Sequence, residues 1–246
     1  MAQDIDDIHT RVPKTLHLCW FSGDKYPVEI QRCLDSWARV LPDYRIRLWT
    51  ADDARAIGCR YIDEALEMRK WAFAADAVRF YALWKEGGVY LDSDILLHRR
   101  FDRFIPAEGF ATFHEHIGDH VQLQAAFLIG SAGNAFCREA YAYYASRPFI
   151  AADGSPDMTI SPVVMLDIAK RFGYTPGDSD LTLEENTYIY EGKYVTPCNR
   201  CDNVYPGAVA RHTIYGSWRK RKLGRRIELA VKHLAHVIQY RLGLMR

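Results

Sequence analysis

The first half of the chain alternates between segments with strand-like and segments with helical spacing of apolar residues. Period-two alternation, or a short apolar run beside turn residues, predicts strands at Val12–Trp20, Tyr44–Trp49 and Val89–Leu97. Apolar residues repeated every three or four positions predict helices at Val28–Leu41, Asp52–Ile57 and Ala65–Lys85. Strands and helices in regular succession predict an α/β domain whose parallel, Rossmann-like central sheet has helices on both faces.

The second half of the chain carries similar but weaker patterns. Strands are predicted within Ala111–Ile129, including the apolar run Ala125–Ile129, and at Thr187–Val195. Helices are predicted at Ala135–Ser146 and Val163–Arg171. The segment Ala151–Pro162 is rich in Gly, Asp, Ser and Pro, so a loop is expected there.

After Trp218 the pattern changes to a basic segment with helical spacing. The apolar positions of this segment are Ile227, Val231, Leu234, Ile238, Leu242 and Met245. A basic amphipathic helix of this kind fits a membrane surface that carries anionic lipid. The alternative is a terminal helix that packs on the body with its charges in water. We expect two parts, a domain over residues 1–218 and a basic amphipathic tail over residues 219–246.

Charge is distributed unevenly, although the net charge of the 246-residue chain is only +1. The tail holds nine Lys and Arg residues and one Glu, which leaves 23 basic and 30 acidic residues in the rest of the chain. No nucleic-acid-binding motif accompanies the basic residues, so nucleic acid is not expected as a partner. At 49% hydrophobic residues the chain can form the core of one large domain.

Targeting and redox signals are few. Residues 1–7 are acidic and lack both the basic and the apolar region of a secretory signal. No apolar run reaches the length of a membrane-spanning helix. Cys198 and Cys201 form a CxxC, but no second pair and no suitably spaced His accompanies them to bind zinc. We therefore expect a cytoplasmic protein with reduced thiols, which the basic tail could hold on the inner face of a membrane.

The strongest chemical signal is an acidic pair that follows an apolar strand. Gly87-Gly88 precede the strand, and Asp92 and Asp94 stand two positions apart at its end. Side chains alternate along a strand, so the two carboxylates are expected on the same side. Hard divalent cations such as Mn²⁺ and Mg²⁺ prefer oxygen ligands and often bridge carboxylates to substrate phosphates. The pair therefore predicts a metal that holds a phosphorylated substrate.

A second charged pair lies on the helix before the acidic strand. Asp76 and Arg79 are three residues apart and so share one helix face. The residues around them, Ala74-Ala75 and Ala77-Val78, are apolar. An ordinary surface ion pair is the alternative, but an apolar setting favours a functional role because buried charges are costly.

Four segments in this order resemble the glycosyltransferases that carry a DXD sugar-binding region. They are Val12–Trp20, Ala74–Arg79, Gly87–Asp94 and His212–Trp218. The family includes yeast initiating α-1,6-mannosyltransferases, bacterial capsule and lipopolysaccharide transferases and, more distantly, the clostridial toxin glucosyltransferases. The resemblance implies a GT-A fold, a UDP- or GDP-sugar donor, Mn²⁺ or Mg²⁺, retention of anomeric configuration, and a glycan or lipid-linked acceptor, as in surface polysaccharide synthesis.

The resemblance also implies roles for individual residues. Catalytic roles fall to Asp76, Arg79, Asp92 and Asp94. The metal ligands would be Asp92, Asp94 and His212. The donor would contact Trp20, Asp76, Arg79, Tyr90, Asp92, Ser217 and Trp218. In this assignment Trp20 stacks on the base, and Ser217 and Trp218 close over the diphosphate and exclude water.

Two segments depart from the family pattern. Ser161-Pro162 stands where the family often has Gly-Pro, and the region of Gln122-Leu123-Gln124 lacks an expected asparagine. Both lie where the choice of sugar and acceptor is expected to be set.

Three other functions fit parts of the sequence. A toxin-like transferase that modifies a protein would have the same donor site and differ only in its acceptor. A dehalogenase-type phosphatase also places DxD after an apolar run, but Leu96 occupies a position where that motif has Thr or Val. A nucleotide-sugar-binding protein without turnover is disfavoured by the intact acidic pair.

Overall fold

The computed structural model describes residues 10–117, 120–177, 179–197 and 205–213. Six α-helices lie in these ranges: α1 Val28–Val40, α2 Ala51–Arg55, α3 Arg60–Glu67, α4 Trp71–Lys85, α5 Ala135–Ala145 and α6 Ser161–Arg171. The strands of the first half are β1 Thr15–Cys19, β2 Arg45–Trp49, β3 Gly88–Leu91 and β4 Ile95–Leu97. Those of the second half are β5 Phe110–Ile117, β6 His120–Leu123, β7 Phe127–Gly130, β8 Leu181–Leu183, β9 Thr187–Tyr190, β10 Val195–Pro197 and β11 Ala210–His212.

The central sheet has the strand order β2-β1-β3-β7-β5-β9-β8, and β6 pairs with β5. Strands β2, β1 and β3 are parallel, whereas β7 runs antiparallel to both β3 and β5. The α/β prediction is confirmed, but the sheet is mixed rather than parallel throughout. Hairpin β5/β6 and strand β7 follow one another without helices, so their connections permit antiparallel pairing.

Helices cover both faces of the central sheet, as predicted. On one face α1 contributes Ile30 and Trp37 to a cluster of buried residues that includes Leu16 and Val89. On the other face α3 to α6 form a second cluster, in which Val78 and Phe136 join Tyr90 and Leu128. Val89 and Tyr90 are consecutive on β3 and enter opposite clusters, as the alternation of side chains along a strand requires.

Two predicted elements are each divided. The helix expected over Ala65–Lys85 is two helices, α3 and α4, with Arg69 between them at a φ of 53°. A left-handed residue interrupts helical hydrogen bonding, which apolar spacing alone does not reveal. The strand expected over Val89–Leu97 is also two, because β3 belongs to the central sheet and β4 to a small sheet of order β10-β11-β4. The turn between them holds the acidic pair.

The first residue of β3 needs glycine. Gly88 has a φ of 116°, and a Cβ there would lie 2.7 Å from the carbonyl oxygen of Thr15 and 3.1 Å from Nε2 of His17. His17 lies on β1, next to β3, and is fully buried. Trp49 donates its indole N–H to Nδ1 of His17, and Nε2 of His17 lies 2.7 Å from the carbonyl oxygen of Gly87. These partners suit a neutral imidazole, and burial lowers the pKa of His17 below its ordinary value.

None of the helices within the described ranges combines the length and the apolar character that crossing a bilayer requires. The basic tail over residues 219–246 lies outside the described residues, and so do Cys198 and Cys201. The proposed division at residue 218 therefore stays a prediction.

Candidate metal and donor site

The acidic pair lies on a turn at the carboxyl end of β3. The backbone N–H of Asp92 donates to the carbonyl oxygen of Ala126, and the N–H of Ile95 donates back to the carbonyl oxygen of Asp92. Strand alternation was therefore the wrong reason to expect Asp92 and Asp94 on one side. The turn brings the two carboxylates together instead.

His212 is distant from the acidic pair in the sequence but lies beside it in the structure. It ends β11, which runs antiparallel to β4 with His212 opposite Ile95. The next residue, Thr213, donates from both its N–H and its hydroxyl to the carbonyl oxygen of Asp94, at 3.0 and 2.9 Å. One possible ligand atom from each of Asp92, Asp94 and His212 lies within 4.8 Å of the others.

Two carboxylates surround the imidazole of His212. Its Nε2 lies 3.4 Å from Oδ1 of Asp94, and its Nδ1 lies 3.7 Å from Oε1 of Glu115. Burial alone lowers the pKa of His212, but Asp94 and Glu115 outweigh it and raise the pKa to about 10. Without a metal the imidazole is therefore cationic, and a cation bound between these groups would replace its proton.

Asp76 and Arg79 form a buried pair on α4. Arg79 is 4% exposed and Asp76 is 7% exposed, and Nη2 of Arg79 lies 2.7 Å from Oδ1 of Asp76. Burial raises the pKa of Asp76, and Arg79 opposes that shift. The pair is therefore buried, and it is not the ordinary surface ion pair that the sequence left as an alternative.

Arg79 joins the helix to the DXD turn. It donates through Nη1 to the carbonyl oxygen of Ala125 at 2.7 Å, and its Nη2 lies 3.4 Å from Oδ1 of Asp92. Its guanidinium lies over the ring of Tyr90 at 4.7 Å, and the hydroxyl of Tyr90 donates to Asp92 at 2.8 Å. Four of the predicted site residues, Asp76, Arg79, Tyr90 and Asp92, thus form one continuous network.

Trp20 lies at a different part of the same sheet edge. It follows β1 and lines a pocket of about 710 Å³ together with Tyr26, Gln31, Thr50 and Asp52. Its ring meets Tyr26 edge-on at 4.9 Å, and its indole N–H donates to the carbonyl oxygen of Asp24. The pocket lies at the carboxyl ends of β1 and β2, where open α/β sheets bind ligands.

Part of the first half of the chain matches a known family model. Residues 27–111 match the model described as a glycosyltransferase sugar-binding region containing a DXD motif. The match identifies this part of the chain as similar to the sugar-binding region of that glycosyltransferase family. The predicted family and enzyme class are confirmed. The matched range includes Asp76, Arg79, Tyr90, Asp92 and Asp94.

Curated relatives carry the same class of name. The chain is 22% identical over 220 residues to an uncharacterized glycosyltransferase, L373, of Acanthamoeba polyphaga mimivirus, with 84% of each chain covered. It is 31% identical over 98 residues to inositol phosphoceramide mannosyltransferase 3 of Schizosaccharomyces pombe, covering 37% of this chain. The match spans only 26% of that relative's length.

Solved structures of transferases resemble the chain more remotely. The PaToxG glycosyltransferase has a TM-score of 0.49 at 14% identity, with 65% of this chain and 69% of that chain covered. The galactosyltransferase LgtC, solved with donor and acceptor sugar analogues, has a TM-score of 0.44 at 9% identity, with 80% and 86% covered. Both likenesses are too distant to assign chemistry to individual residues.

Two residues that the sequence did not single out as site residues contact the predicted ones. Ser161 donates its N–H and its hydroxyl to the carboxylate of Asp76, at 3.2 and 2.8 Å. Glu115 faces His212 and accepts from Gln122 and from Gln124, at 2.7 and 3.0 Å. The sequence signals were the departures from the family pattern at Ser161 and at Gln122-Leu123-Gln124. Ser217 and Trp218 lie outside the described residues.

Proposed function

We propose that this glycosyltransferase uses a divalent metal, Mn²⁺ or Mg²⁺, to transfer a sugar from a nucleotide-sugar donor with retention of configuration. The observation that carries the proposal is the convergence of Asp92, Asp94 and His212 beside the buried Asp76–Arg79 pair. Two carboxylates and one imidazole are a donor set that suits Mn²⁺. One ligand atom from each of these three residues lies within 4.8 Å of the others, close enough for all three to bind one cation.

The charged residues of the site would bind the metal and the diphosphate. Asp92, Asp94 and His212 would hold the metal, which when bound supplies positive charge to the diphosphate leaving group. Arg79 is fixed by the carbonyl oxygen of Ala125 and by Asp76, so its charge is oriented before the donor binds.

Asp76 would accept hydrogen bonds from sugar hydroxyl groups. Its Oδ1 already accepts from both Arg79 and Ser161, so the carboxylate is held in one orientation. A fixed acceptor of this kind favours one arrangement of hydroxyl groups over another.

Trp20 would bind the nucleobase in the pocket at the ends of β1 and β2. An aromatic side chain offers a flat apolar surface, while Thr50 and Asp52 offer polar groups at the rim. Ser217 and Trp218 would cover the diphosphate, as the resemblance implies.

The acceptor is proposed to be a glycan or a lipid-linked glycan. Support comes from the relative named inositol phosphoceramide mannosyltransferase, whose name describes a lipid acceptor and a mannosyl donor. The basic residues over 219–246 would bring the enzyme to an anionic membrane that carries such an acceptor.

A hydrolysis screen tests the donor part of the proposal. The full chain is incubated with UDP- and GDP-sugars in the presence and absence of Mn²⁺, and release of nucleoside diphosphate is measured. We expect release from one donor, GDP-mannose being the first to test, and only with the metal. Equal release with and without metal, or from no donor at all, would contradict the proposal.

Co-sedimentation with anionic vesicles tests the membrane part of the proposal. The full chain is compared with a chain that lacks residues 219–246, and equal binding of the two to the vesicles would contradict this part.

A further inference from the structure

Glu115 is a buried carboxylate on the far side of His212 from the acidic pair. It lies on β5 and is 8% exposed, with Oε1 placed 3.7 Å from Nδ1 of His212. The opposite ring nitrogen, Nε2, faces Asp94. The imidazole therefore stands between the candidate metal position and a second carboxylate.

Glu115 is held in place by two amides. Gln122 lies directly opposite Glu115 in the β5/β6 hairpin and donates to Oε2 at 2.7 Å. Gln124 donates to Oε1 at 3.0 Å, and its own side-chain oxygen accepts from the backbone N–H of Ala126 at 2.9 Å. Gln124 is 1% exposed, so this arrangement is built into the interior of the protein.

Such a carboxylate has a defined use beside a metal-binding histidine. A histidine that ligates a metal through one ring nitrogen usually donates its other N–H to a carboxylate, which fixes the tautomer and orients the ring. At 3.7 Å the Glu115–His212 contact is longer than a hydrogen bond, and Nδ1 is buried without another partner in the described part of the chain. Leaving that N–H unpaired would be costly, which directs it to Glu115.

We propose that Glu115 is a positioning residue for the metal: it accepts the Nδ1–H of His212 and thereby aims Nε2 at the cation held by Asp92 and Asp94. Gln122 and Gln124 fix the carboxylate for this purpose. The inference rests on the proposed metal site, and it assigns a role to the segment of the chain that departs from the family pattern.

If Glu115 orients His212, then Glu115 should affect the metal affinity only while His212 is present. Loss of a carboxylate in this position typically weakens metal binding about 10- to 100-fold. Glu115→Gln keeps the size of the side chain but removes its charge. Gln122→Met keeps the charge and removes one of the bonds that hold it, so a smaller loss is expected.

Mn²⁺ binding to the full chain, followed by the electron paramagnetic resonance signal of the free ion, tests the inference without an activity assay. The proteins compared are the wild type, Glu115→Gln, His212→Ala and the double variant. We expect Glu115→Gln to weaken Mn²⁺ binding at least about 10-fold in the wild type and less than about 3-fold once His212 is alanine. Thermal unfolding of each variant checks that it is folded.

Matched variants distinguish a failure of the role given to Glu115 from a failure of the proposed metal site. Glu139→Gln removes the charge of another acid, one paired with Arg171 at 2.8 Å, and should leave Mn²⁺ affinity unchanged. An equal effect of Glu115→Gln in both backgrounds would overturn the inference, because Glu115 would then act on the cation directly. If Asp94→Ala weakens Mn²⁺ binding but His212→Ala does not, the inference fails while the acidic pair stands. Unchanged binding by Asp94→Ala would instead overturn the proposed function.

Discussion

Removal of Arg79 should cost the protein a large part of its stability. It is 4% exposed, pairs with Asp76 at 2.7 Å, donates to the carbonyl oxygen of Ala125 at 2.7 Å and lies 3.4 Å from Asp92. Replacement by leucine keeps most of the volume but leaves a buried carboxylate without its cation. Breaking a buried ion pair in this way costs about 3–5 kcal/mol of the free energy of unfolding.

Removing both charges should cost less than removing one. The double variant Arg79→Leu/Asp76→Leu leaves no unpaired charge within the pair, so part of the loss should return. Arg79→Lys keeps a charge but has no planar fork, so it cannot serve the Asp76 carboxylate and the Ala125 carbonyl oxygen together. An intermediate loss of stability is expected for the lysine variant.

Urea unfolding followed by far-ultraviolet circular dichroism measures these differences. With a denaturant slope of about 2 kcal/mol/M, a loss of 3–5 kcal/mol lowers the midpoint by roughly 1.5–2.5 M. The control is Arg11→Leu, since Arg11 and its partner Glu108 are 77% and 46% exposed. Exposed pairs contribute about 0–1 kcal/mol. A loss no larger for Arg79→Leu than for Arg11→Leu would contradict the role given to the buried pair.

Three further predictions concern stability. Ser161→Ala removes the hydroxyl bond to Asp76 and should lower the free energy of unfolding by about 1.5–3 kcal/mol, whereas Ser161→Thr should restore it. Gly88→Ala should cost about 2 kcal/mol or more, because its Cβ would meet the carbonyl oxygen of Thr15 in a backbone conformation that alanine disfavours. His17 has a lowered pKa when folded, so the unfolded chain binds more protons below 6.5, the ordinary value of that pKa. The free energy of unfolding should therefore fall more between about pH 7.5 and 5.5 for the wild type than for His17→Gln.

Each of these outcomes can be contradicted by urea unfolding. Wild-type stability of Ser161→Ala would show that the hydroxyl contributes nothing to holding Asp76. An unchanged midpoint for Gly88→Ala would mean that the backbone there relaxes without cost. If the wild type and His17→Gln lose the same stability on acidification, the imidazole of His17 is not held neutral by the fold.

The sequence was sufficient to predict the α/β fold class, because that class depends on local patterns. Apolar spacing placed the elements that surround the site, from β1 to α4. It did not reveal the break at Arg69 or the turn at Asp92 and Asp94, since each depends on backbone conformation that tertiary contacts select. The apolar residues on either side of the acidic pair do not show that the chain passes there from one sheet to another.

Contacts between residues distant in sequence could not be predicted from local patterns, and the family resemblance implied only that of His212 with the acidic pair. Ser161 and Asp76 are 85 positions apart, and Glu115 meets His212 across two different sheets. The sequence marked Ser161 and Gln122-Leu123-Gln124 only as departures from a pattern. Their roles depend on which side chains the fold brings opposite them.

The role of Asp92 and Asp94 as a metal site can be measured through the metal dependence of donor hydrolysis. The rate of nucleoside diphosphate release is measured over a range of Mn²⁺ concentrations for the wild type, Asp94→Ala and Asp167→Ala, the last being an exposed acid on α6. We expect saturating stimulation by Mn²⁺ for the wild type and Asp167→Ala, and loss of that stimulation for Asp94→Ala. Undiminished, Mn²⁺-stimulated release by Asp94→Ala would contradict the assignment of the acidic pair as the metal site.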